Sequence, residues 1–164
     1  QMLSQAQNSS VTALQELRGL VRGIRPPLLA DLGLNEAVRS LCASTSVPTT
    51  FTSTLTGRLP EPLETALYFA AAELVTNAVK HANAQNITVS ITQGKSLIML
   101  EVQDDGTGGI PQDALGSKAS GGLEGVRRRL ATFDGEMFVS SPAEGPTSVR
   151  TIVPYAAPTA EQNS

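Results

Sequence analysis

Apolar residues near the start of the chain recur at alternating spacings of three and four. They are Leu14, Leu17, Val21, Ile24 and Leu28. This spacing is typical of a helix face that packs along a partner helix. Pro26 and Pro27 are predicted to interrupt the helix, and residues 34–43 to resume it. We expect the partner helix, and the beginning of the parent protein, to lie upstream of residue 1. The alternative is that this face packs on the domain that follows.

A second pattern begins after residues 44–50, a Ser/Thr/Pro-rich stretch that we predict to be a linker. Apolar and polar residues alternate along 50–56 and 86–92, which indicates strands with one buried and one hydrated face. Gly135 is predicted to end the second of two helices. The remaining predicted segments are strands at 97–103, 136–141 and 147–153 and helices at 62–82 and 122–134.

Strands with one polar face argue against a doubly wound parallel sheet, because that sheet buries both faces. The sequence therefore predicts an α+β fold. We expect a two-layer α/β sandwich, with a mixed, mostly antiparallel sheet covered by helices on one face. An N-terminal helical segment, residues 1–43, precedes this domain, which spans residues 51–155. Residues 156–164 are predicted to be a disordered tail.

Composition narrows the function classes. The chain has 164 residues, of which 40% are hydrophobic, and no apolar run reaches the ~20 residues of a membrane span. The single cysteine, Cys42, rules out an internal disulfide framework and suits the reducing cytoplasm. A formal net charge of -3 and an aromatic content of 4% argue against nucleic acid as a partner.

The helix predicted at 62–82 carries the first candidate chemistry. Glu73, Asn77 and Lys80 are four and then three residues apart, so they share one helix face, and His81 lies at its margin. Carboxylate and amide oxygens one turn apart are hard ligands of the kind that Mg²⁺ prefers. Taken alone, the face is better explained as the ordinary solvated surface of an amphipathic helix.

Two glycine-rich segments follow. The first, DDGTGG, begins at Asp104 after a predicted strand, and Gly106 and Gly108 would let the backbone approach a ligand. It could also be an ordinary Asp-Gly turn. The second, GGLEGVRRRL, opens a helix whose free N–H groups near Gly122 and Gly125 would attract phosphate.

Three arginines at 127–129 follow Gly125. We expect them to lie within the first two turns, where their charge opposes the helix dipole and an anionic ligand would relieve the conflict. The alternative is a surface helix that packs through Leu123, Val126 and Leu130, with its arginines in water.

These segments, in this order, resemble the N box and the two glycine boxes of the ATP-binding domain of sensor histidine kinases. That domain belongs to the superfamily of gyrase, heat-shock chaperone, histidine kinase and mismatch-repair (GHKL) ATPases. The resemblance covers residues 51–154. Residues 17–38 are similar to the second dimerisation helix of the nitrate- and nitrite-sensor (desaturase-sensor) branch.

The resemblance implies a Bergerat-type fold that binds ATP and Mg²⁺. Asn77 and Glu73 would hold the metal, Glu73 and Lys80 would serve catalysis, and Asp104 would accept a hydrogen bond from the adenine amine. Residues 110–121 would form a lid, although Ser120 stands where the second box often has glycine. The implied nucleotide-binding positions are Asn77, His81, Asp104, Gly106, Gly108, Gly122, Leu123, Gly125 and Thr147.

The resemblance further implies a two-component kinase. It would transfer the γ-phosphate of ATP to a histidine upstream of this chain, and from there to a response regulator. The parent would dimerise through the upstream helix, and this domain would lie in the cytoplasm. The sequence does not decide whether the parent is anchored in a membrane. His81 lies in the N box and is not a plausible acceptor, so we expect the chain to bind ATP without phosphorylating itself. The alternative is a nucleotide-binding switch or degenerate kinase. A serine-directed anti-sigma kinase is disfavoured by the predicted helix face from Leu14 to Leu28, because that class lacks the coiled-coil hairpin.

Overall fold

A computed structural model describes residues 26–81, 83–109 and 121–158. The predicted N-terminal helix face before Pro26 lies outside these ranges, as do residues 110–120 of the predicted lid (110–121) and residues 159–164 of the predicted tail (156–164). The helices are α1 (Pro27–Leu32), α2 (Leu34–Ala43), α3 (Glu61–His81) and α4 (Gly121–Ala131). The strands are β1 (Thr49–Ser53), β2 (Ile87–Gln93), β3 (Leu97–Asp104), β4 (Glu136–Ser140) and β5 (Thr147–Pro154).

The five strands form one sheet in the order β1-β2-β3-β5-β4. Only β1 and β2 pair in parallel, and the other three pairs are antiparallel. Side chains alternate between a buried and a more exposed face, as along β3, where Ile98, Leu100 and Val102 are buried. On the opposite face Gln103 and Phe138 are exposed. The predicted two-layer fold with a mixed, mostly antiparallel sheet is confirmed.

Helix α3 is the central element of the helical layer. Apart from Glu64, its buried side chains are small or aliphatic: Leu63, Ala66, Leu67, Ala70, Ala71, Leu74, Val75 and Ala78. Alanines let the helix approach its neighbours closely, and Glu61 and Glu64 in the first turn complement the helix dipole. The predicted range, 62–82, agrees with the observed one within a residue at each end. Polar residues of its C-terminal half remain accessible.

The segment before the predicted linker packs into the same core as the sheet. Pro27 occupies the first position of α1, where its missing N–H costs nothing, so the proline pair starts a helix. Gly33, with φ 91°, separates α1 from α2. Leu29, Leu34 and Val38 join the hydrophobic cluster that contains α3 and the strands. The domain boundary at residues 44–50 stays a prediction.

Helix α4 ends differently from the prediction. The left-handed residue after the helix is Asp134, with φ 58°, and not Gly135. Gly135 instead donates its N–H to the carbonyl of Leu130 at 2.8 Å, and a Cβ there would lie only 2.8 Å from that oxygen. Close backbone approach therefore explains this glycine. Within the described ranges, no helix has the length and apolarity needed to cross a membrane.

Candidate functional site

The polar face of α3 meets the N-terminus of α4. A Cβ on Gly122 would lie 2.7 Å from Oε2 of Glu73, 3.2 Å from Nδ2 of Asn77 and 3.4 Å from its Oδ1. Only a residue without a side chain fits between them without displacing these groups. Glu73 is exposed and Asn77 half-buried. The structure therefore brings together a carboxylate, an amide and the first turn of a helix.

The other predicted site residues near Glu73, Asn77 and Gly122 differ in their exposure to solvent. Lys80 is exposed in the last turn of α3, and His81 ends that helix, although its side chain lies outside the described part. Gly125 is exposed, and among the described residues no neighbouring atom lies within 4 Å of a Cβ placed there. Leu123, in contrast, is only 5% exposed and belongs to the core. Any contact of Leu123 with a ligand would fall to its backbone.

The carboxylate of Asp104 lies at the end of β3 on the helix-covered face, where it is 5% exposed. Its Oδ1 accepts a hydrogen bond from the N–H of Gly106 at 2.9 Å. Burial raises the pKa of Asp104, the Gly106 hydrogen bond lowers it, and the charge of Asp105 raises it, with a net increase. Since one hydrogen bond leaves further lone pairs, the carboxylate can accept another from a ligand.

The glycine-rich turn packs directly on the loop that leads into β5. Gly108 has φ 65°, and a Cβ there would lie 2.2 Å from the carbonyl oxygen of Pro142. Gly145 has φ 73°, and its Cβ would lie 2.0 Å from the carbonyl oxygen of Gly106. The N–H of Gly109 donates to the same Pro142 oxygen at 2.9 Å. Backbone therefore lies against backbone, and no side chain larger than hydrogen fits.

Thr147 begins β5 directly opposite Asp104 in the sheet register. It is buried, and its hydroxyl pairs with the hydroxyl of Ser141 at 2.8 Å. Asp104 and Thr147 thus form adjacent polar positions on the buried sheet face, which is otherwise aliphatic apart from Thr151.

A second aspartate, which sequence reasoning treated as part of the turn, has a distinct structural role. Asp105 accepts hydrogen bonds from the backbone N–H groups of Gln85 and Asn86, at 2.8 and 2.9 Å, and from Nδ2 of Asn86 at 3.0 Å. The Asn86 side chain, followed by these N–H groups, lowers the pKa of Asp105. The antiparallel pairing of β2 with β3 could have indicated this contact, because Ile87 pairs with Asp104.

The expectation that the arginines oppose the dipole of α4 is wrong for two of the three. Arg128 and Arg129 lie in the last turn, where positive charge is favourable. Arg129 also stacks over the ring of Phe69, with 4.7 Å from Cζ to the ring centroid. Arg127 lies 3.9 Å from Glu124, at the limit of an ion pair. The cation–π contact joins α4 to α3 one turn before Glu73.

A cavity of about 530 Å³ opens near the end of β3 and the loop that leads into β5. Its lining includes Thr88 and Gln103, which are exposed on the sheet face away from the helices, and the acidic Asp105 and Glu144. With Asp104, three carboxylates line this cavity, which makes it unfavourable for a triphosphate. It shares Asp104 and Gly106 with the predicted nucleotide-binding residues, but Glu73, Asn77 and Gly122 do not line it.

Residues 63–157 match the family described as "Histidine kinase-, DNA gyrase B-, and HSP90-like ATPase". The chain is 32% identical to sensor histidine kinase MctS of Rhizobium johnstonii, over 88% of this chain and 32% of that protein. It is 30% identical to the nitrate/nitrite sensor protein NarX of Escherichia coli (strain K12), over 91% of this chain and 25% of that protein. The chain thus spans a third or less of these curated relatives.

Solved structures share the fold. The structure of the Acinetobacter baumannii histidine kinase AdeS aligns with a TM-score of 0.66 at 15% identity, covering 96% of this chain and 86% of that one. At this identity the likeness concerns the arrangement of helices and strands alone.

Proposed function

Because the chain belongs to the family of histidine kinase-, DNA gyrase B- and HSP90-like ATPases, we propose that it is the ATP-binding catalytic domain of a two-component sensor histidine kinase of the nitrate/nitrite-sensor branch. The observation that most supports this function is the contact of Gly122 with Glu73 and Asn77. The first turn of α4, whose N–H groups have no partner within the helix, thus lies beside a carboxylate and an amide. A triphosphate with a bound metal needs that combination of donors and oxygen ligands.

The donor set suits Mg²⁺. Among the described residues, no group of three or more His, Cys, Asp or Glu side chains could hold a metal alone. A site at Asn77 and Glu73 would therefore depend on phosphate oxygens and water for its other ligands, as Mg²⁺ sites often do. When bound, Mg²⁺ would neutralise phosphate charge. Lys80 would add positive charge to the same cleft, and backbone N–H groups at Gly122, Leu123 and Gly125 would donate to the phosphates.

The base would lie toward the opposite end of the cleft. Asp104 would accept a hydrogen bond from the exocyclic amine of adenine, and the Thr147 hydroxyl would close that end. Gly106 and Gly108 would shape the wall, since their backbones are fixed by Asp104 and by the loop before β5. His81 would lie at the margin of the site, beyond Lys80.

The phosphoryl acceptor would be a histidine elsewhere in the parent kinase. Transfer would depend on positioning and charge neutralisation, and the phosphoryl group would pass to a response regulator. We place this unit in the cytoplasm of a homodimeric parent, which would dimerise through the upstream dimerisation helix of the kinase.

Calorimetric titration of the chain with ATP, with and without Mg²⁺, tests the binding part. Asn77→Ala should weaken Mg²⁺-dependent ATP binding by about tenfold or more, the loss typical when a metal ligand loses its orientation. Thr65→Ala is the control and should bind as the parent chain does, because the half-buried Thr65 lies three turns earlier on the same helix and its hydroxyl donates to the carbonyl of Glu61. Equal affinities for the two variants, or no dependence on Mg²⁺, would contradict the assignment.

Radiolabelled ATP tests phosphoryl transfer. The chain alone should remain unlabelled, whereas the full parent kinase should acquire an acid-labile label on a histidine outside this chain. Label on His81 would overturn the proposed division of roles. A parent that binds ATP and never becomes labelled would favour the nucleotide-binding switch.

A further inference from the structure

Arg58, in the loop before α3, connects that loop to helices α1 and α3. Its Nε lies 3.1 Å from Oε2 of Glu64, and its Nη2 lies 3.0 Å from Oε1. The same Nη2 donates to the carbonyl oxygens of Leu29 at 3.3 Å and of Ala30 at 3.2 Å. One guanidinium therefore bridges the first turn of α3 and the C-terminal carbonyls of α1.

The burial of Glu64 gives this bridge its importance. The glutamate is 1% exposed, while the side chain of Arg58 is 47% exposed. A carboxylate removed from water needs a charged partner and several hydrogen bonds, which the planar fork of arginine supplies. The carbonyl of Ala30, in the last turn of α1, gains a donor from the same guanidinium. The carbonyl of Leu29 already accepts from the N–H of Gly33 and gains a second donor.

Gly33 encloses the bridge from the other side. Its φ of 91° favours glycine, and a Cβ there would lie 2.9 Å from Cδ and 3.1 Å from Nε of Arg58. The turn between α1 and α2 thus closes over the stem of the arginine. A side chain at position 33 would displace it.

Helix α2 is fastened independently to the sheet. Nδ2 of Asn35 donates to the carbonyl of Leu55 at 2.9 Å, and the hydroxyl of Ser53 donates to Oδ1 of Asn35 at 2.6 Å. Because Leu29 and Val38 are fully buried in the common core, α1 and α2 are attached by packing as well.

We propose that Arg58 is a positioning residue that fixes the direction of α1 relative to α3, so that residues 26–43 turn as one body with the ATP-binding unit. Glu64 lies on the same continuous helix as Glu73, nine positions earlier. The direction in which the chain leaves residue 26 is thereby fixed relative to the polar face of α3, and residues 44–50 do not act as a pivot between α1 and α3.

Hydrogen exchange of this chain tests the bridge without reference to activity. Arg58→Lys keeps a positive partner for Glu64 and removes the fork that reaches the α1 carbonyls. The amides of Ala30 and Gly33, which bond within α1, should exchange ~tenfold faster or more, while those of β3 stay protected. Unchanged exchange in α1, or an equal rise in β3, overturns the proposal.

Two further variants sharpen the test. Gly33→Ala, which displaces the Arg58 stem from the other side, should loosen the same amides. Arg150→Lys is the matched control, since Arg150 is 51% exposed and pairs with Glu101 on the open sheet face. It should leave exchange in α1 unchanged. Loosening of α1 by Arg150→Lys would count against a local role for Arg58.

The effect on phosphoryl transfer rests on the proposed function and is measured in the full parent kinase. Arg58→Lys should lower the rate of autophosphorylation at saturating ATP severalfold and leave KM for ATP unchanged, because the nucleotide cleft is untouched. A rise in KM that matches the fall in rate overturns the positioning role. A wild-type parent that shows no phosphorylation refutes the proposed function instead, and the exchange experiment still decides the bridge.

Discussion

Replacing Gly122 with alanine should separate nucleotide binding from fold stability. The new Cβ would lie 2.7 Å from Oε2 of Glu73, whereas ordinary contact begins at 3.4 Å, so the carboxylate must retreat by 0.7 Å or more (3.4 less 2.7). Glu73 is exposed and its side chain can rotate away. The fold therefore loses little, and alanine is favoured over glycine within a helix by up to ~1 kcal/mol.

Binding should respond in the opposite direction. If a nucleotide and its metal need Glu73 beside Asn77, the displaced carboxylate must be held away from its preferred rotamer, at about 0.5–1.5 kcal/mol. Since 1.4 kcal/mol corresponds to tenfold in affinity, Gly122→Ala should weaken Mg²⁺-ATP binding by roughly two- to tenfold. The thermal midpoint without ligand should stay equal or rise slightly.

Calorimetric titration and thermal unfolding of the same samples provide the measurement. Gly94→Ala is the control, because a Cβ in that β2–β3 turn reaches only 3.4 Å from Leu97 and lies at the far end of the hairpin from Asp104. Gly94→Ala should leave the affinity for Mg²⁺-ATP unchanged, unlike Gly122→Ala. Unaltered Mg²⁺-ATP affinity in Gly122→Ala would refute the reasoning that Glu73 and Asn77 act together on the ligand.

Four other outcomes follow from the described contacts. Gly108→Ala should lower the free energy of unfolding by at least ~1–2 kcal/mol, measured by urea titration, because the left-handed backbone and the neighbouring carbonyl both oppose a Cβ. Asp104→Asn should stabilise the fold at pH 7, and the gain should vanish below the ordinary aspartate pKa of about 3.9, since burial raises this pKa and ionisation opposes folding above it. Asp105→Asn should destabilise at pH 7, and its effect should fade as the pH drops through the lowered pKa of Asp105, so that identical pH profiles for both aspartates would contradict the assignment. Leu29→Ala should cost about 2–5 kcal/mol in the same urea assay, because this side chain is fully buried in the shared core, and a change below ~1 kcal/mol would argue that α1 is not part of it.

The periodicity of apolar and polar residues predicted most of the fold because the helices and strands each bury one face. The alternation along β2 and the apolar positions of α3 gave their bounds within a residue or so. Errors arose where one residue type has two local uses. Because proline was considered only as a helix breaker, the helix that begins at Pro27 was not predicted, and Gly135 was expected in a left-handed conformation that Asp134 adopts.

The candidate site was predictable as a set of motifs and not as a set of contacts. The spacing of Glu73 and Asn77 indicates a shared helix face, but nothing local to it specifies that Gly122 lies against them. The bridge of Arg58 to Glu64 and α1, and the contacts of Asp105, depend on packing between distant segments. Such contacts are set by register and by loop geometry, which a single sequence does not encode in any short pattern.

The pairing of Asp104 with Thr147 joins positions 43 residues apart along the chain (147 less 104). A cleft built from such distant segments exists only once the whole sheet has formed, so occupancy and folding are thermodynamically linked. A nucleotide at a hundred times its Kd would add about 2.7 kcal/mol to the folded state. For a chain of this size that is a rise in Tm of several degrees, at roughly 2–4 °C per kcal/mol, so a melting-temperature screen of nucleotides and small inhibitors would report occupancy of this cleft without any catalytic assay.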